Sequence, residues 1–561
     1  MMEWAQDALA GIEASREGRL NAAFPEMTPA ETSALLEQFH PDFKGLERTV
    51  RVGPQAGELK GLAEVADLLE ADSPLPGEFA PKPDIETDVL IIGGGGAGLA
   101  AALALQGTGL QVLVATKLRV GDANTLMAEG GIQAAVGPDD SPRRHFADTV
   151  AGGHGHNNPD LVHRLVQDGV PVIEWLTGLG VHFERDGDLS YRAKPGGGTS
   201  VPRVLSCRDV TGLEIMRVLR DAVLHGEAKL LDHHAAVELC DDGAGRVTGA
   251  VLWNTRTREL TTVSARAVLL ATGGSGQLRL QGFSTSNHVG ATGDGLVLAW
   301  RQGCPLLHMD SFQYHPTGSV YPEALAGQLV TEAARSFGAQ LLNAKGERFI
   351  DELAVRDVVA SAIIREVEEG RGVTTPPGRK GVWLDTPMIE RVKGEGTLAA
   401  NFPGLLHRFG KYGIDPTRQP VLVYPTLHYQ NGGIQIDTNG RTARAGLWAA
   451  GEVTGGLHGT NRLMGNSLLD IIVFGRRAGS SIAEHIPQRG PVTLSALIRF
   501  REERNRLEGL PERPAPWLFP EASGLRFALK EAPTPSAQMP GTSTQGGGGG
   551  SFEPPDPFSG R

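Results

Sequence analysis

The glycines in the segment DVLIIGGGGAGLAAAL, residues 88–103, have the spacing found in loops that bind the pyrophosphate of a dinucleotide. Gly93, Gly95 and Gly98 match the pattern G-x-G-x-x-G. In that pattern the first glycine permits a tight turn, the second lets the backbone approach the phosphates, and the third lets a helix pack on a strand. The N–H groups of the first helical turn then face the anion. The sequence therefore predicts a dinucleotide site at this turn.

The flanking residues predict the elements that position these glycines. The apolar run of residues 89–92 is rich in β-branched residues and too short for a helix, whereas residues 97–105 are strong helix formers. The next predicted strand, QVLVATK, ends in residues 115–117, where an NAD-binding unit normally has an acid for the adenosine ribose. The missing acid argues against an ordinary NAD site. A second glycine pair, residues 130–131, brings further backbone against the ligand.

The composition excludes several classes of function. The chain has 561 residues, 40% apolar and 21% charged, which is typical of a globular protein with two or three domains. A net charge of −12 without a basic stripe argues against binding to nucleic acid. Cys207, Cys240 and Cys304 are widely spaced, so neither a disulfide framework nor a metal site is encoded. With no segment of transmembrane length, we expect a cytoplasmic protein that reaches the cytoplasmic face of a membrane only through partner subunits.

A series of separated blocks resembles one family, the flavoprotein subunits of fumarate reductase and succinate dehydrogenase, together with the related L-aspartate oxidase. The resemblance runs from Thr87 to Gly479, with the blocks in the family's order. The blocks are GGGGAG, AEGGIQAAV, ATGG, ATGDG, QYHPTG, TEAARSFGAQLLN, RDVV, HYQNGG and HGTNRLMGNSLLD. The resemblance implies an α/β fold in which a doubly wound domain binds FAD and an inserted α+β capping domain closes over a dicarboxylate.

We therefore expect six regions along the chain. They are an N-terminal extension and linker (1–85), the first part of the FAD-binding domain (86–308), the capping or substrate domain (309–424), the second part of the FAD-binding domain (425–487), a reduced C-terminal helical region (488–530) and a low-complexity, disordered tail (531–561). Within the extension, Thr28, Pro29 and Glu31 form the pattern of a capped helix.

The resemblance also implies the residues that bind and convert the substrate. Each of its two carboxylates would meet charge-assisted donors, one at Arg462 with His428 and the other at His315 with Thr331. Arg356 matches the family's proton donor or acceptor, while Glu332 and Arg335 match the relay that resupplies the proton. Arginine is a poor acid, so this role requires a dry site and neighbours that replace the proton at once.

A larger set of positions is expected to contact FAD, from the glycine pattern and from the resemblance. The set is Gly93, Gly94, Gly95, Gly96, Ala97, Gly98, Thr116, Lys117, Asn124, Thr125, Gly130, Gly131, Asp294, Glu452, Ser467 and Leu468.

Two departures from the family pattern affect the expected chemistry. Relatives with covalent FAD carry the linking histidine in a block like HTVAAEGG, and this chain has NTLMAEGG, with Asn124 at that position. Asparagine cannot form the histidyl bond, so we expect noncovalent FAD, whose lower potential favours fumarate reduction. L-aspartate oxidases typically have an acid in an EGGH-like loop that meets the substrate ammonium, whereas this chain has PGGGTSVPR.

Three functions stay open on the sequence alone. The first is FAD-dependent interconversion of fumarate and succinate, with hydride transfer at flavin N5, by a flavoprotein that exchanges electrons with an iron–sulfur or other electron-transfer partner. The second is an L-aspartate oxidase type of enzyme. The third is a noncatalytic protein with a flavin-binding fold that serves in assembly, and the intact set of ionisable site residues argues against it.

Overall fold

The computed structural model describes residues 2–20, 22, 24–25, 27–43 and 45–520. Its α-helices are α1 Gln6–Arg19, α2 Pro29–Phe39, α3 Ala63–Glu70, α4 Gly96–Ala104, α5 Pro142–Gly152, α6 Pro159–Gln167, α7 Gly169–Leu179, α8 Thr211–Leu224, α9 Asp294–Arg301, α10 Glu332–Ser336, α11 Arg356–Glu368, α12 Met388–Lys393, α13 Thr397–Asn401, α14 Pro403–Gly410, α15 Asn466–His485 and α16 Ser495–Arg504. Its strands are β1 Glu47–Thr49, β2 Lys60–Leu62, β3 Ile85–Ile92, β4 Val112–Ala115, β5 Ile132–Gln133, β6 Val204–Leu205, β7 Lys229–Leu231, β8 His234–Asp241, β9 Val247–Asn254, β10 Leu260–Leu270, β11 Leu306–Leu307, β12 Phe312–Ser319, β13 Gln340–Leu342, β14 Val373–Thr374, β15 Lys380–Asp385, β16 Val421–Gln430, β17 Gly433–Gln435, β18 Leu447–Ala449 and β19 Thr454–Gly455.

The larger sheet is mainly parallel and has the strand order β7-β4-β3-β10-β9-β8. Strands β7, β4, β3 and β10 run parallel, while β9 and β8 pair antiparallel at one edge. One edge of β10 serves two partners, because residues 260–264 pair with β9 and residues 268–270 pair with β18. The carboxyl ends of β3, β4, β10 and β18 therefore lie side by side, where open α/β sheets bind their ligands.

Helices α4 and α15 pack closely against each other beside this sheet. A Cβ added to Gly475 would lie 2.5 Å from the carbonyl oxygen of Ala97, and one added to Gly479 would lie 2.6 Å from that of Ala101. Only glycine permits this approach of the two helices. The parallel sheet with its packed helices confirms the predicted α/β fold class.

The second sheet is antiparallel and has the order β12-β16-β15-β13, with β14 beside β15. It has its own apolar core, which includes Trp383 and Leu422, and α11 packs against it. Strand β16 continues to Gln430, past the expected limit of the capping domain at residue 424. The division into 86–308, 309–424 and 425–487 stays a prediction.

The N-terminal residues fold onto both sheets. Helix α2 begins with the predicted capping box at Thr28. Helix α1, which the sequence does not predict, is fastened to β15 by an ion pair between Arg16 Nη2 and Asp385 Oδ1 at 2.9 Å. The β1–β2 pair and α3 pack on the larger core, where the indole N–H of Trp300 donates to the carbonyl oxygen of Val52 at 3.1 Å.

The C-terminal region contains α16 and a segment without regular structure that runs to Pro520. The predicted disordered tail, residues 531–561, lies outside the described residues. Within the described ranges, no helix is both long and apolar enough to cross a membrane.

Candidate active site

The predicted glycine turn lies between β3 and α4, at the carboxyl end of the parallel strands. Gly93 has φ +116°, and an added Cβ would lie 2.1 Å from the carbonyl oxygen of Ala271. A Cβ added to Gly98 would lie 2.0 Å from the carbonyl oxygen of Gly93, so Gly98 is needed for packing. Gly95 instead lines a cavity, directly before the start of α4 at Gly96. The turn therefore forms a backbone cradle that fits a pyrophosphate.

Lys117 follows β4, at the position where the expected ribose-binding acid is missing. Its Nζ donates to Thr292 Oγ1 at 2.7 Å, to Asp294 Oδ2 at 2.6 Å and to the carbonyl oxygen of Leu518 at 2.7 Å. Burial lowers the pKa of Lys117, and the charge of Asp294 partly offsets that effect. Because all three N–H groups of the Lys117 ammonium donate within the protein, none is left to bind a ligand.

Asn124 is held at both ends of its amide. Its Nδ2 donates to Asn287 Oδ1 at 2.7 Å and to Glu452 Oε2 at 3.2 Å, and its Oδ1 accepts from the backbone N–H of His288 at 2.6 Å. Burial raises the pKa of Glu452, against the effect of its hydrogen bonds. The side chain of Asn124 therefore connects three segments of the cavity wall and presents no nucleophilic nitrogen.

Helix α15 begins at Asn466, and its first turn faces the adjoining part of the cavity. Asn466 Oδ1 lies 2.8 Å from His145 Nε2, and its Nδ2 donates to Thr149 Oγ1 at 3.0 Å. These bonds hold the side chain of Asn466 against α5. Ser467 and Leu468 are left to line the cavity.

Arg356 is the first residue of α11, and two acceptors hold its guanidinium. Its Nε donates to Glu332 Oε2 at 2.7 Å, and its Nη1 donates to Gln313 Oε1 at 2.9 Å. Glu332 also accepts from Arg335 Nη2 at 3.2 Å and from the backbone N–H of Gly197 at 2.9 Å. Burial alone would raise the pKa of Glu332, but the charges of Arg356 and Arg335 lower it to about 2. The carboxylate is therefore ionised between two guanidinium groups at neutral pH.

Gln313 joins Arg356 to the second arginine of the cavity, Arg462. Its Oε1 also accepts from Arg462 Nη2 at 3.0 Å, while its Nε2 donates to Asn461 Oδ1 and to the carbonyl oxygen of Arg462, both at 2.7 Å. Arg462 lies over the ring of Tyr429, 4.4 Å from the centroid. Burial, followed by the charge of Arg356, lowers the pKa of Arg462 to about 10. One neutral acceptor thus holds two guanidinium groups together, and Arg462 remains charged at neutral pH.

Two histidines complete this end of the cavity. The rings of His315 and His428 lie 5.2 Å apart, centroid to centroid. Burial, with the positive charge of Arg356 second, lowers both pKa values well below the usual range, so both rings are neutral at pH 7. His315 Nε2 and Arg462 Nε are buried without a hydrogen-bond partner in the part of the chain that the structure describes. Buried polar atoms of this kind normally have partners, so an anionic ligand fits here.

The structure brings the predicted substrate and catalytic residues to one cavity. Its lining includes His315, Thr331, Glu332, Arg356, His428 and Arg462, and Arg335 lies behind Glu332. The predicted FAD residues line two adjoining parts of the space, and Gly98 packs behind them. The part next to β3 and β4 includes Gly93, Gly94, Gly95, Gly96, Ala97, Thr116, Lys117, Asn124, Thr125, Asp294 and Glu452, and the part next to the arginines includes Gly130, Gly131, Ser467 and Leu468.

The sequence alone does not single out Gln313. It belongs to the block QYHPTG, but an uncharged amide in a predicted strand carries no chemical signal of its own. Only the position of β12 between α11 and residues 461–462 gives Gln313 its role.

Comparison with known proteins identifies the family. The family model for an FAD binding domain matches residues 88–468. The chain belongs to this family. It is 40% identical over 429 residues to one subunit of the fumarate reductase (CoM/CoB) of Methanothermobacter marburgensis, covering 75% of this chain and 76% of that protein. It is 38% identical over 420 residues to an L-aspartate oxidase of Streptomyces coelicolor, covering 72% and 70%. A solved quinol-fumarate reductase with menaquinol molecules matches at a TM-score of 0.68 and 33% identity, with 75% of each chain covered.

Family membership establishes the cofactor and the class of reaction. The protein is an FAD-dependent oxidoreductase, and the prediction of FAD is confirmed. The glycine cradle and the neighbouring cavity are consistent with that cofactor, because the backbone at residues 93–96 is open to a pyrophosphate and the first turn of α15 faces the adjoining space.

Proposed function

We propose that this protein interconverts fumarate and succinate, and that it acts as the flavoprotein subunit of a fumarate reductase or succinate dehydrogenase type of system. The observation that carries the proposal is the pair of buried guanidinium groups at Arg356 and Arg462, joined by Gln313. They line the same cavity as His315, whose Nε2 has no hydrogen-bond partner among the described residues. A flat dianion with a carboxylate at each end is the ligand that this arrangement of charges suits.

Arg462 is the proposed anchor for one carboxylate. Its guanidinium is buried, already oriented by Gln313 and Tyr429, and has an Nε without a partner among the described residues. An arginine binds a carboxylate through two parallel hydrogen bonds, which position as well as attract it. His428 supports the same carboxylate, and His315 with Thr331 binds the other one. The neutral histidines donate hydrogen bonds without adding charge that would repel the nearby arginines.

Arg356 is the proposed proton donor. FAD, when bound and reduced, would supply the hydride for one alkene carbon, and the neighbouring carbon would need a proton. Arg356 is held rigidly by Glu332 and Gln313, and the ionised carboxylate of Glu332 lies between Arg356 and Arg335. Glu332 is therefore placed to return a proton to Arg356 from Arg335 after each turnover. Succinate oxidation uses the same groups in reverse.

The FAD is proposed to be noncovalent, because Asn124 occupies the position of the linking histidine. Both ends of its amide are bonded to the cavity wall. Acid precipitation of the purified protein should leave the yellow flavin in the supernatant. Flavin fluorescence that stays with the denatured polypeptide on a gel would contradict this expectation.

The chain is proposed to receive electrons from another protein. Its three cysteines are free and buried, so they offer no cluster ligands in common, and the Methanothermobacter relative is itself one subunit of a larger enzyme by its name. An iron–sulfur or other electron-transfer subunit is the proposed partner, and any attachment to a membrane would occur through it.

Anaerobic turnover with reduced viologen and fumarate tests the proposed activity. The purified protein should oxidise the viologen and produce succinate. The similarity to L-aspartate oxidases supplies the alternative. Formation of peroxide with aspartate as the sole substrate, without fumarate turnover, would establish that alternative. No turnover of either substrate by FAD-loaded protein would favour an assembly role.

A further inference from the structure

A segment near the end of the described chain lies against the adenosine end of the FAD site. After α16 the backbone returns to the larger sheet, and Ala515 and Leu518 are both buried. The backbone N–H of Ala515 donates to the carbonyl oxygen of Asp72 at 2.9 Å, and its carbonyl oxygen accepts from Arg301 Nη2 at 2.7 Å. Residues 515–519, which we call the wall segment, are therefore fixed to the protein before they reach Lys117.

The wall segment supplies backbone groups to both members of the Lys117–Asp294 pair. The carbonyl oxygen of Leu518 accepts from Lys117 Nζ at 2.7 Å, and the backbone N–H of Leu518 donates to Asp294 Oδ1 at 3.3 Å. The ring of Phe519 lies 5.7 Å from Lys117 Nζ. Leu518 adopts φ +61°, which is unfavourable for leucine, so specific contacts must hold it there. The hydrogen bonds of the Leu518 backbone to Lys117 and Asp294 are contacts that can hold this conformation.

We propose that the wall segment is part of the FAD site and slows the release of FAD by holding Lys117 and Asp294 at the adenosine end. Both residues line the cavity beside the glycine cradle, at the strand end where a dinucleotide places its adenosine ribose. The end of β4 lacks the acid that normally binds that ribose, so the other residues that line this end of the cavity, Lys117 and Asp294 among them, have to hold the adenosine. The wall segment fixes the position of these two residues because it takes the third hydrogen bond of the Lys117 ammonium.

The proposal rests on FAD binding, which the family establishes, and not on fumarate as the substrate. Its test therefore measures FAD release and not turnover.

Three forms of the protein are compared: the full chain, a chain that ends at Pro520 and a chain that ends at Arg513. Dilution of FAD-loaded protein with flavin fluorescence as the signal gives the dissociation rate. The first two forms should release FAD at the same rate, and the chain that ends at Arg513 at least about tenfold faster, as the loss of a hydrogen bond to a charged group predicts. Equal rates for all three forms would overturn the proposal.

A double-mutant cycle separates this role from general stabilisation. Lys117→Met should speed FAD release in the full chain but add little in the chain that ends at Arg513, because both changes remove the same contact. Independent, multiplicative effects would overturn the proposal. Leu497→Ala is the matched control, since Leu497 packs in the same apolar cluster as Leu518 without reaching Lys117. It should lower the melting temperature and leave FAD release unchanged.

A full-length variant covers the case in which the shortened chain does not fold. Leu518→Asp places a carboxylate among Ala235 and Val237 and so displaces the wall segment without deleting it. It should also speed FAD release at least about tenfold. FAD release at the parent rate from this folded variant would contradict the proposal.

Discussion

At the scale of single residues, Arg356 and Arg462 differ in their partners and not in their chemistry. Arg356 has an ionised carboxylate against its Nε, whereas Arg462 lies on the ring of Tyr429 and has no acid bonded to it among the described residues. A guanidinium paired with a carboxylate has a base that can return a proton. One whose hydrogen-bond partners are all neutral keeps more of its attraction for an anion. The same residue type thus serves two different proposed roles in one cavity.

Arg462→Ala should weaken dicarboxylate binding far more than FAD binding. The loss of a bidentate contact in a buried site should raise the dissociation constant by about 100-fold, or roughly 3 kcal/mol. Titration of the flavin spectrum with succinate measures it. Arg408→Ala is a suitable control, because Arg408 lines the same cavity but already pairs with Glu129. An unchanged titration for the Arg462 variant would remove it from the role of anchor.

Arg356→Lys should retain FAD and dicarboxylate binding and lose nearly all turnover. The guanidinium reaches Glu332 and Gln313 at the same time through different nitrogens, which a single ammonium group cannot do. We expect kcat to fall at least about 100-fold with a smaller change in KM, as for the loss of an interaction made in the transition state.

Glu332→Gln should have a milder effect than Arg356→Lys, because it interrupts resupply of the proton and not its delivery. Turnover of the Arg356 variant within tenfold of the parent rate at saturating fumarate would show that Arg356 is not the acid, and the proposed relay would fail with it.

At the scale of secondary structure, the turn between β3 and α4 depends on one glycine whose added side chain would collide with the residue that follows β10. Gly93→Ala would place a Cβ 2.1 Å from the carbonyl oxygen of Ala271, at φ +116°. Gly107 also has a positive φ, +76°, but a Cβ there would meet nothing within 4 Å. Gly107→Ala is therefore a matched control that carries only the backbone strain, about 1 kcal/mol.

We expect Gly93→Ala to be purified with little FAD and a clearly lower melting temperature, and Gly107→Ala to keep its FAD. Flavin absorbance per polypeptide and thermal unfolding measure both effects. Similar FAD contents in the two variants would mean that the close approach of Gly93 to Ala271 is not required for the site.

Local sequence patterns predict the elements whose signals are local. The turn at Gly93 and the capping box at Thr28 each depend on residues within a few positions of one another. Helix α1 lacks a capping side chain, and its main attachment joins Arg16 to Asp385, far along the chain. For the same reason Gln313 and the contacts of Leu518 with Lys117 become visible only when distant segments are brought together.

At the scale of the whole molecule, the N-terminal extension supports the strand that carries the site. Asp42 Oδ2 accepts from the backbone N–H of Phe312 at 2.8 Å, and its Oδ1 accepts from the hydroxyl of Tyr314 at 3.0 Å. Both partners belong to β12, in which they alternate with Gln313 and His315. A residue outside the matched family region therefore braces the strand that holds two of the proposed site residues.

Asp42 should also make the stability of the protein depend on pH. Burial raises the pKa of Asp42 to about 8 from its usual value near 3.8, against the hydrogen bonds from Phe312 and Tyr314. Between these two values the folded protein holds a proton that the unfolded chain has lost. The stabilisation is thus fully present below about pH 4 and is lost as the pH rises to about 8, by at most about 1.4 kcal/mol per pH unit.

Asp42→Asn should remove this dependence and keep the fold, because its amide oxygen can accept from the backbone N–H of Phe312 and its amide nitrogen can donate to the hydroxyl oxygen of Tyr314, which is the donor in the parent protein. The free energy of unfolding, measured by denaturant titration from pH 5 to pH 8, should fall with pH in the parent relative to the variant. Other titrating groups are shared by the two proteins and cancel in the difference. The variant should be the more stable of the two at pH 8, with the difference shrinking towards pH 5. A difference that stays constant across this range would show that Asp42 is already ionised in the folded protein, and that its contacts to β12 are those of a carboxylate.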